Sequence, residues 1–151
     1  MARFLKRTII VIMIPAFLAG VVYFWFPGLI IKSAIHSLRW WAGLKRHEVQ
    51  VDDHRWVYLA GGEGETILFI HGFGADKDRW GTFLTAFCGR YRLIAPDLPG
   101  FGESSRVASA NYNIPGQVDR LSRFIEKIHL DRFHLVGISM GGYIAAYYAG
   151  K

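Results

Sequence analysis

The chain has 151 residues, 52% of them hydrophobic and 20% charged, with a formal net charge of +6. That length allows one domain and a short appendage, and the composition is too apolar for a disordered chain and too charged for a bundle of membrane spans. The single cysteine, Cys88, excludes an internal disulfide and a Cys-rich metal site. The positive charge would suit nucleic acid, but it is confined to residues 1–50, where Arg3, Lys6, Arg7, Lys32, Arg39, Lys45 and Arg46 stand against Glu48 alone. Residues 51–151 carry equal numbers of each sign. The excess therefore flanks a hydrophobic N-terminus and reads as membrane anchoring, not nucleic-acid binding.

No charged residue lies between Arg7 and Lys32. As one helix this run would reach about 36 Å, against about 30 Å of bilayer hydrocarbon. The expectation is a single uncleaved N-terminal anchor. Cleavage as a signal peptide after Ala19 would need a small residue where Phe17 stands. Pro15 is a possible kink, which leaves a re-entrant segment open. Basic residues on both sides leave the orientation open. Ile31, Ile35, Leu38 and Ala42 then recur at helical spacing beside Trp40-Trp41. This pattern fits a helix in the headgroup region, or a linker helix packed on the next domain.

From His47 the period changes. Val49 and Val51, the turn Asp52-Asp53-His54, then Trp56 and Tyr58 predict a β-hairpin. Thr66–Ile70 is the continuous apolar run of a strand buried on both faces. A helix carrying Trp80, Phe83, Leu84 and Phe87 and ending at Gly89 follows, then a second buried strand, Arg92–Ala95. Val118, Leu121, Phe124, Ile125 and Ile128 mark a helix with Pro115 near its start, and Phe133–Ile138 is a third buried strand. Met140 opens a helix rich in glycine and alanine. The fold class is α/β: an antiparallel hairpin, then parallel strands with flanking helices, preceded by a membrane-anchoring helix.

Gly137-Ile-Ser-Met-Gly141 fits G-x-S-x-G between a predicted strand and a predicted helix. Such a turn strains the serine backbone and lifts the Ser139 hydroxyl above the sheet, next to the amides of a helix start. Ser139 is thus the candidate nucleophile. The candidate oxyanion donors are the backbone N–H of Met140, which follows it, and that of Phe73 in the loop after the first buried strand. His71, ahead of that turn, is expected to bond within its own loop. Asp97 is expected to bond backbone amides in the Pro99-Gly100 loop, and Asp76, Lys77, Asp78 and Arg79 read as surface charges at a helix start, with Asp76 and Arg79 at i, i+3 spacing. His134 lies at the far end of its strand from Ser139, and His129 at a helix end.

Together, Ile70-His-Gly-Phe-Gly74, Asp97-Leu-Pro-Gly-Phe-Gly102 and Gly137-Ile-Ser-Met-Gly-Gly142 resemble the α/β-hydrolase superfamily over about residues 47–151. With the N-terminal apolar segment, Arg39-Trp40-Trp41, the stretch from Ile67 to Trp80 and Gly116-Gln-Val-Asp-Arg120, the chain is similar to membrane-anchored monoacylglycerol lipases and related bacterial lipases. The resemblance implies a cofactor-free serine esterase acting on acylglycerols at a lipid bilayer, without metal. In it Ser139 is the nucleophile, and Phe73 and Met140 hold the oxyanion. A serine here separates the chain from relatives with an aspartate nucleophile, such as haloalkane dehalogenases and epoxide hydrolases.

The chain departs from the family in one respect. The family order is serine, then acid, then histidine, and only twelve residues follow Ser139. The chain is therefore expected to be an inactive fragment without the triad acid and histidine, with an anchor and interfacial helix over 1–46 and the N-terminal part of a hydrolase domain, truncated after the nucleophile helix, over 47–151. A C–C bond hydrolase or an acyltransferase would share the elbow, and a short non-catalytic membrane protein is the remaining alternative.

Overall fold

The computed structural model describes residues 13–15, 17 and 19–151, in two compact units, Met1–Ser37 and Leu38–Lys151. In the first, the uncharged run is not one straight helix. Met13–Trp25 and α1 (Pro27–Trp41) meet at a 97° bend, and among the described residues no single helix is long and apolar enough to cross a membrane. Pro27 accounts for the break: its ring disfavours helical backbone at Phe26, while at the start of α1 its missing N–H is no loss. The bend among the described residues thus falls at Pro27. The part of the anchor reading that rests on residues 1–12 lies outside the described residues.

The C-terminal end of α1 belongs to the second unit. The amides of Gly43 and Leu44 turn back to the carbonyls of Trp40 and Arg39 at 3.0 and 2.8 Å, closing the helix in the Schellman manner. Ala42 and Leu44 are buried, whereas Trp40 and Trp41 remain three-quarters exposed.

The sheet has five strands in the order β1-β2-β4-β3-β5. The hairpin is β1 (Lys45–Val51) and β2 (His54–Gly61), antiparallel, with Val51 opposite His54. It starts two residues earlier than the sequence pattern suggests. β2 runs antiparallel to β4 (Arg92–Pro96), and β3 (Thr66–Ile70) is parallel to both β4 and β5 (His134–Gly137). All five residues of β3 are buried, which is why its sequence shows no alternation.

The pleat sends alternate residues into two cores. Leu68, Ile70 and Ile94, with Trp56 of β2, pack against Val118, Leu121 and Phe124 of α3 (Ile114–Lys127) and Ile144 of α4 (Met140–Ala149). Trp56 stacks on Phe124 with ring centroids 4.5 Å apart, an arrangement worth about 1 kcal/mol beyond the area it buries. On the other face Ile67, Phe69, Leu93 and Ala95 meet Trp80, Leu84, Ala42 and Leu44. The helix expected from Trp80 to Gly89 is a 3₁₀ turn, Lys77–Trp80, followed by α2, Gly81–Phe87. The polar residues 76–79 explain the change: Asp76 spends its carboxylate on capping the turn, accepting from the Asp78 amide at 2.9 Å.

Candidate active site

Ser139 joins the end of β5 to α4 with φ 54° and ψ −122°, a region costing a non-glycine residue about 1–3 kcal/mol. The surrounding packing enforces it. A Cβ on Gly141 would lie 2.2 Å from the Ile70 carbonyl oxygen, and one on Gly137 2.2 Å from the Gly141 carbonyl oxygen. The helix start is therefore pressed against the end of β3, and the chain turns sharply through the serine. A serine at a helix N-cap ordinarily turns its oxygen back onto the first-turn amides. Ser139 is exposed and makes no such capping bond, so its hydroxyl is left unspent at the positive end of the α4 dipole.

The turn after β3 lies against this serine. A Cβ on Gly72 would stand 3.2 Å from the Ser139 Cβ. Gly72–Ala75 closes as a four-residue turn, with the Ala75 amide donating to the Gly72 carbonyl at 3.3 Å. Among the described residues, neither the Phe73 nor the Met140 amide donates to another backbone group. The geometry thus brings together the three residues singled out in the sequence: Ser139, Met140 at the first position of α4, and Phe73 at the crest of the turn.

His71 is fully buried beneath them. Its Nδ1 lies 2.8 Å from the Gly72 carbonyl oxygen and its Nε2 accepts from the Leu98 amide at 3.0 Å. A carbonyl on one side and an N–H on the other fix the neutral, Nδ1-protonated tautomer. Burial pushes its pKa below the ordinary imidazole value, against the opposing bond to Gly72. Both ring nitrogens are occupied, so His71 is a strut between two loops. One of its two bonds stays within its own loop, as the sequence suggests, and the other crosses to the loop after β4. His134 is exposed at the opposite end of β5, 3.2 Å from Glu65.

Asp97 is fully buried and accepts from the amides of Lys77 and Glu103 at 2.6 and 2.8 Å. The Lys77 ammonium, also buried, reaches Asp97 at 3.0 Å and Glu103 at 2.6 Å. Burial opposes the Lys77 charge, yet Glu103 and Asp97 together hold its pKa above the ordinary lysine value. Glu103 is likewise opposed by burial, but Lys77 and Arg46 bring it down to about 2. The sequence reading of residues 76–79 as surface charges is corrected here: Asp78 pairs with Arg39 through two bonds of 2.8 and 2.5 Å, not Asp76 with Arg79. Nothing local in the sequence signals that Lys77 is buried, because its partners are 20 and 26 residues away. Among the described residues no group of three or more His, Cys, Asp or Glu side chains converges as a metal site.

The family described as alpha/beta hydrolase fold matches residues 65–151. Monoacylglycerol lipase ABHD6 of Homo sapiens is 33% identical over 141 residues, which is 90% of this chain and 41% of that protein. Lipase 1 of Psychrobacter immobilis is 44% identical over 98 residues, covering 63% of this chain and 31% of that protein. The crystal structure of a membrane phospholipase A, a bacterial virulence factor, superposes with a TM-score of 0.79 at 44% identity, over all of this chain and 48% of that one. The chain spans less than half the length of each of these relatives. With the family match extending over more than half of its residues, and the glycine-fenced serine turn lying inside the matched region, the chain belongs to the α/β-hydrolase fold family.

Proposed function

We propose that this chain carries the nucleophile and the oxyanion donors of a serine ester hydrolase acting on lipid esters, acylglycerols foremost, at a bilayer surface. The observation that carries this reading is the backbone of Ser139, held at φ 54° between glycines that leave no room for a Cβ. Strain of this kind persists only where the surroundings over-determine it, and it presents an uncapped hydroxyl at a helix start.

In the reaction the Ser139 Oγ attacks the ester carbonyl carbon as its proton passes to a base. The carbonyl oxygen becomes an oxyanion facing the Phe73 and Met140 amides. Each such preorganised donor is worth on the order of 3 kcal/mol in related chemistry. Collapse expels the alcohol, leaving an acyl group on Ser139, and water then releases the fatty acid. His71 is not the base, since its lone pair is spent on Leu98.

The lipid part of the proposal is supported by the names of the relatives, among them a monoacylglycerol lipase and a membrane phospholipase A. It is also supported by the exposed Trp40 and Trp41 at the head of the catalytic unit, since tryptophan favours the membrane–water interface. The full chain is to be assayed in detergent with p-nitrophenyl butyrate and a monoacylglycerol, with imidazole supplied as external base. Release above the imidazole background is expected, and Ser139→Ala lowers it, because no acyl-enzyme forms without the serine oxygen. Release unchanged in Ser139→Ala, or none above that background, overturns the proposal.

A further inference from the structure

At the β1 edge of the sheet, with β5 and Ser139 at the other edge, lies a groove of about 540 Å³, within the size range of small-molecule sites. Residues of β1, β2, β4 and the end of α3 line it. We propose that this groove binds the phosphate of an anionic phospholipid headgroup, with Lys45, Arg92 and Lys127 as its cations. The assignment rests on the bilayer part of the proposed function and not on the chemistry at Ser139.

The first argument is charge. Lys45, Arg92 and Lys127 are exposed along one opening, and among the described residues none of the three forms a salt bridge. The carboxylate on the wall, Glu48, is already held by Arg46 at 2.7 Å and Arg55 at 3.3 Å. The C-terminus of α3 adds roughly half a negative charge, which three cations outweigh. Like charges gathered without partners repel one another, and an anion among them relieves that repulsion.

The second argument is that the site is pre-formed. The pleat puts Lys45 and His47 on one face of β1, opposite Ala60 and Tyr58 of β2. His47 stacks on Tyr58 with ring centroids 5.2 Å apart. Burial raises the Tyr58 pKa against the opposing charge of Arg92, so its hydroxyl stays a donor. A Cβ on Gly61 would lie 2.3 Å from the Gly43 carbonyl oxygen, and one on Gly62 2.2 Å from the Tyr91 carbonyl oxygen. The segments carrying Lys45 and Arg92 are thus pressed against the end of β2, and binding orders little beyond the side chains themselves.

The third argument concerns the source of the phosphate. Between the cations the wall is apolar, with Val49, Ala60, Ile94 and Ile128. Inorganic phosphate gains nothing from such a wall, whereas the glycerol and first chain carbons of a phospholipid do. Gly43, also on the wall, closes the helix that carries the exposed Trp40 and Trp41. Tryptophan favours the membrane–water interface, and basic residues favour an anionic leaflet.

The test is an amide NMR titration of the full chain in neutral detergent with short-chain diether phosphatidylglycerol, which has no carboxylic ester to cleave. Diether phosphatidylcholine and inorganic phosphate are the comparison ligands. The account expects saturable shifts at Lys45, Gly61, Gly62 and Arg92 with phosphatidylglycerol, and weaker binding of the other two. Each cation is worth about fivefold near a charged lipid surface, so Lys45→Gln combined with Lys127→Gln should weaken phosphatidylglycerol about 25-fold, and Arg92→Gln about fivefold. The amide spectrum of each variant identifies any that has lost its fold. Binding undiminished in both folded variants, or equal shifts with phosphatidylcholine, overturns the headgroup site. Inorganic phosphate binding as tightly as the lipid overturns the lipid source. Shifts confined to α1 spare the bilayer reading and overturn the groove.

Discussion

The backbone amide of Leu98 donates to Nε2 of His71 across 3.0 Å, so one buried imidazole ties the turn beside Ser139 to the loop that follows β4. This bond exists only while His71 is neutral. Its folded pKa lies below the ordinary value because of burial, whereas in the unfolded chain it returns to about 6.5. A depressed folded pKa means stability that is present above about pH 6.5 and is lost as the pH falls toward the folded value. The urea midpoint should therefore fall below pH 6.5. A second loss should follow as Glu103, at about 2 in the fold, is protonated between its unfolded value of about 4.3 and that lower one. A midpoint flat from pH 8 to 5, with the His71 ring proton titrating in NMR at or above 6.5, would contradict this.

Lys77 and Asp97 are 1% and 0% exposed. Lys77→Met strands the Asp97 carboxylate in the core without its cation. Breaking a buried pair in this way costs about 3–5 kcal/mol, and that is the loss expected in unfolding free energy by urea denaturation. A loss of about 1 kcal/mol or less, the size found for surface pairs, would show that the pair is not holding the two loops together.

Gly141 and Gly142 are neighbours in sequence and should respond oppositely to alanine. At 141 the new Cβ meets the Ile70 carbonyl oxygen at 2.2 Å, whereas at 142 the nearest atom is at 3.4 Å, an ordinary contact. Gly141→Ala should destabilise by about 1–3 kcal/mol, as overpacking does. Gly142→Ala should stabilise by up to about 1 kcal/mol through helix propensity. Thermal melts of the two variants check the pair, and equal effects would mean that the elbow is not packed as described.

Much of this was legible in the sequence because it is local. The buried β3, the hairpin turning at Asp52-Asp53, and the serine between strand and helix each leave a contiguous pattern. Helix and strand ends were less legible. β5 runs only from His134 to Gly137, one residue short of the apolar run at each end. The 3₁₀ turn at Lys77–Trp80 arises from side-chain capping, which hydrophobic periodicity does not record. The apolar N-terminal run gave a length but not a path, because Pro27 acts on the backbone while leaving the hydropathy unchanged. The charge cluster was the least legible part. Lys77 reads as a solvated helix-start residue until Asp97 and Glu103 are brought to it from another loop, and Asp78 finds its partner 39 residues away in Arg39.

The central claim is that Ser139 is a nucleophile poised by its backbone. The most direct measurement is the intact mass of the full chain, and of its Ser139→Ala variant, after incubation with a fluorophosphonate and imidazole, followed by peptide mapping of the adduct. The account predicts one phosphonyl group on Ser139 of the parent chain and none on the variant. An adduct on another residue, or equal modification of Ser139→Ala, would contradict it.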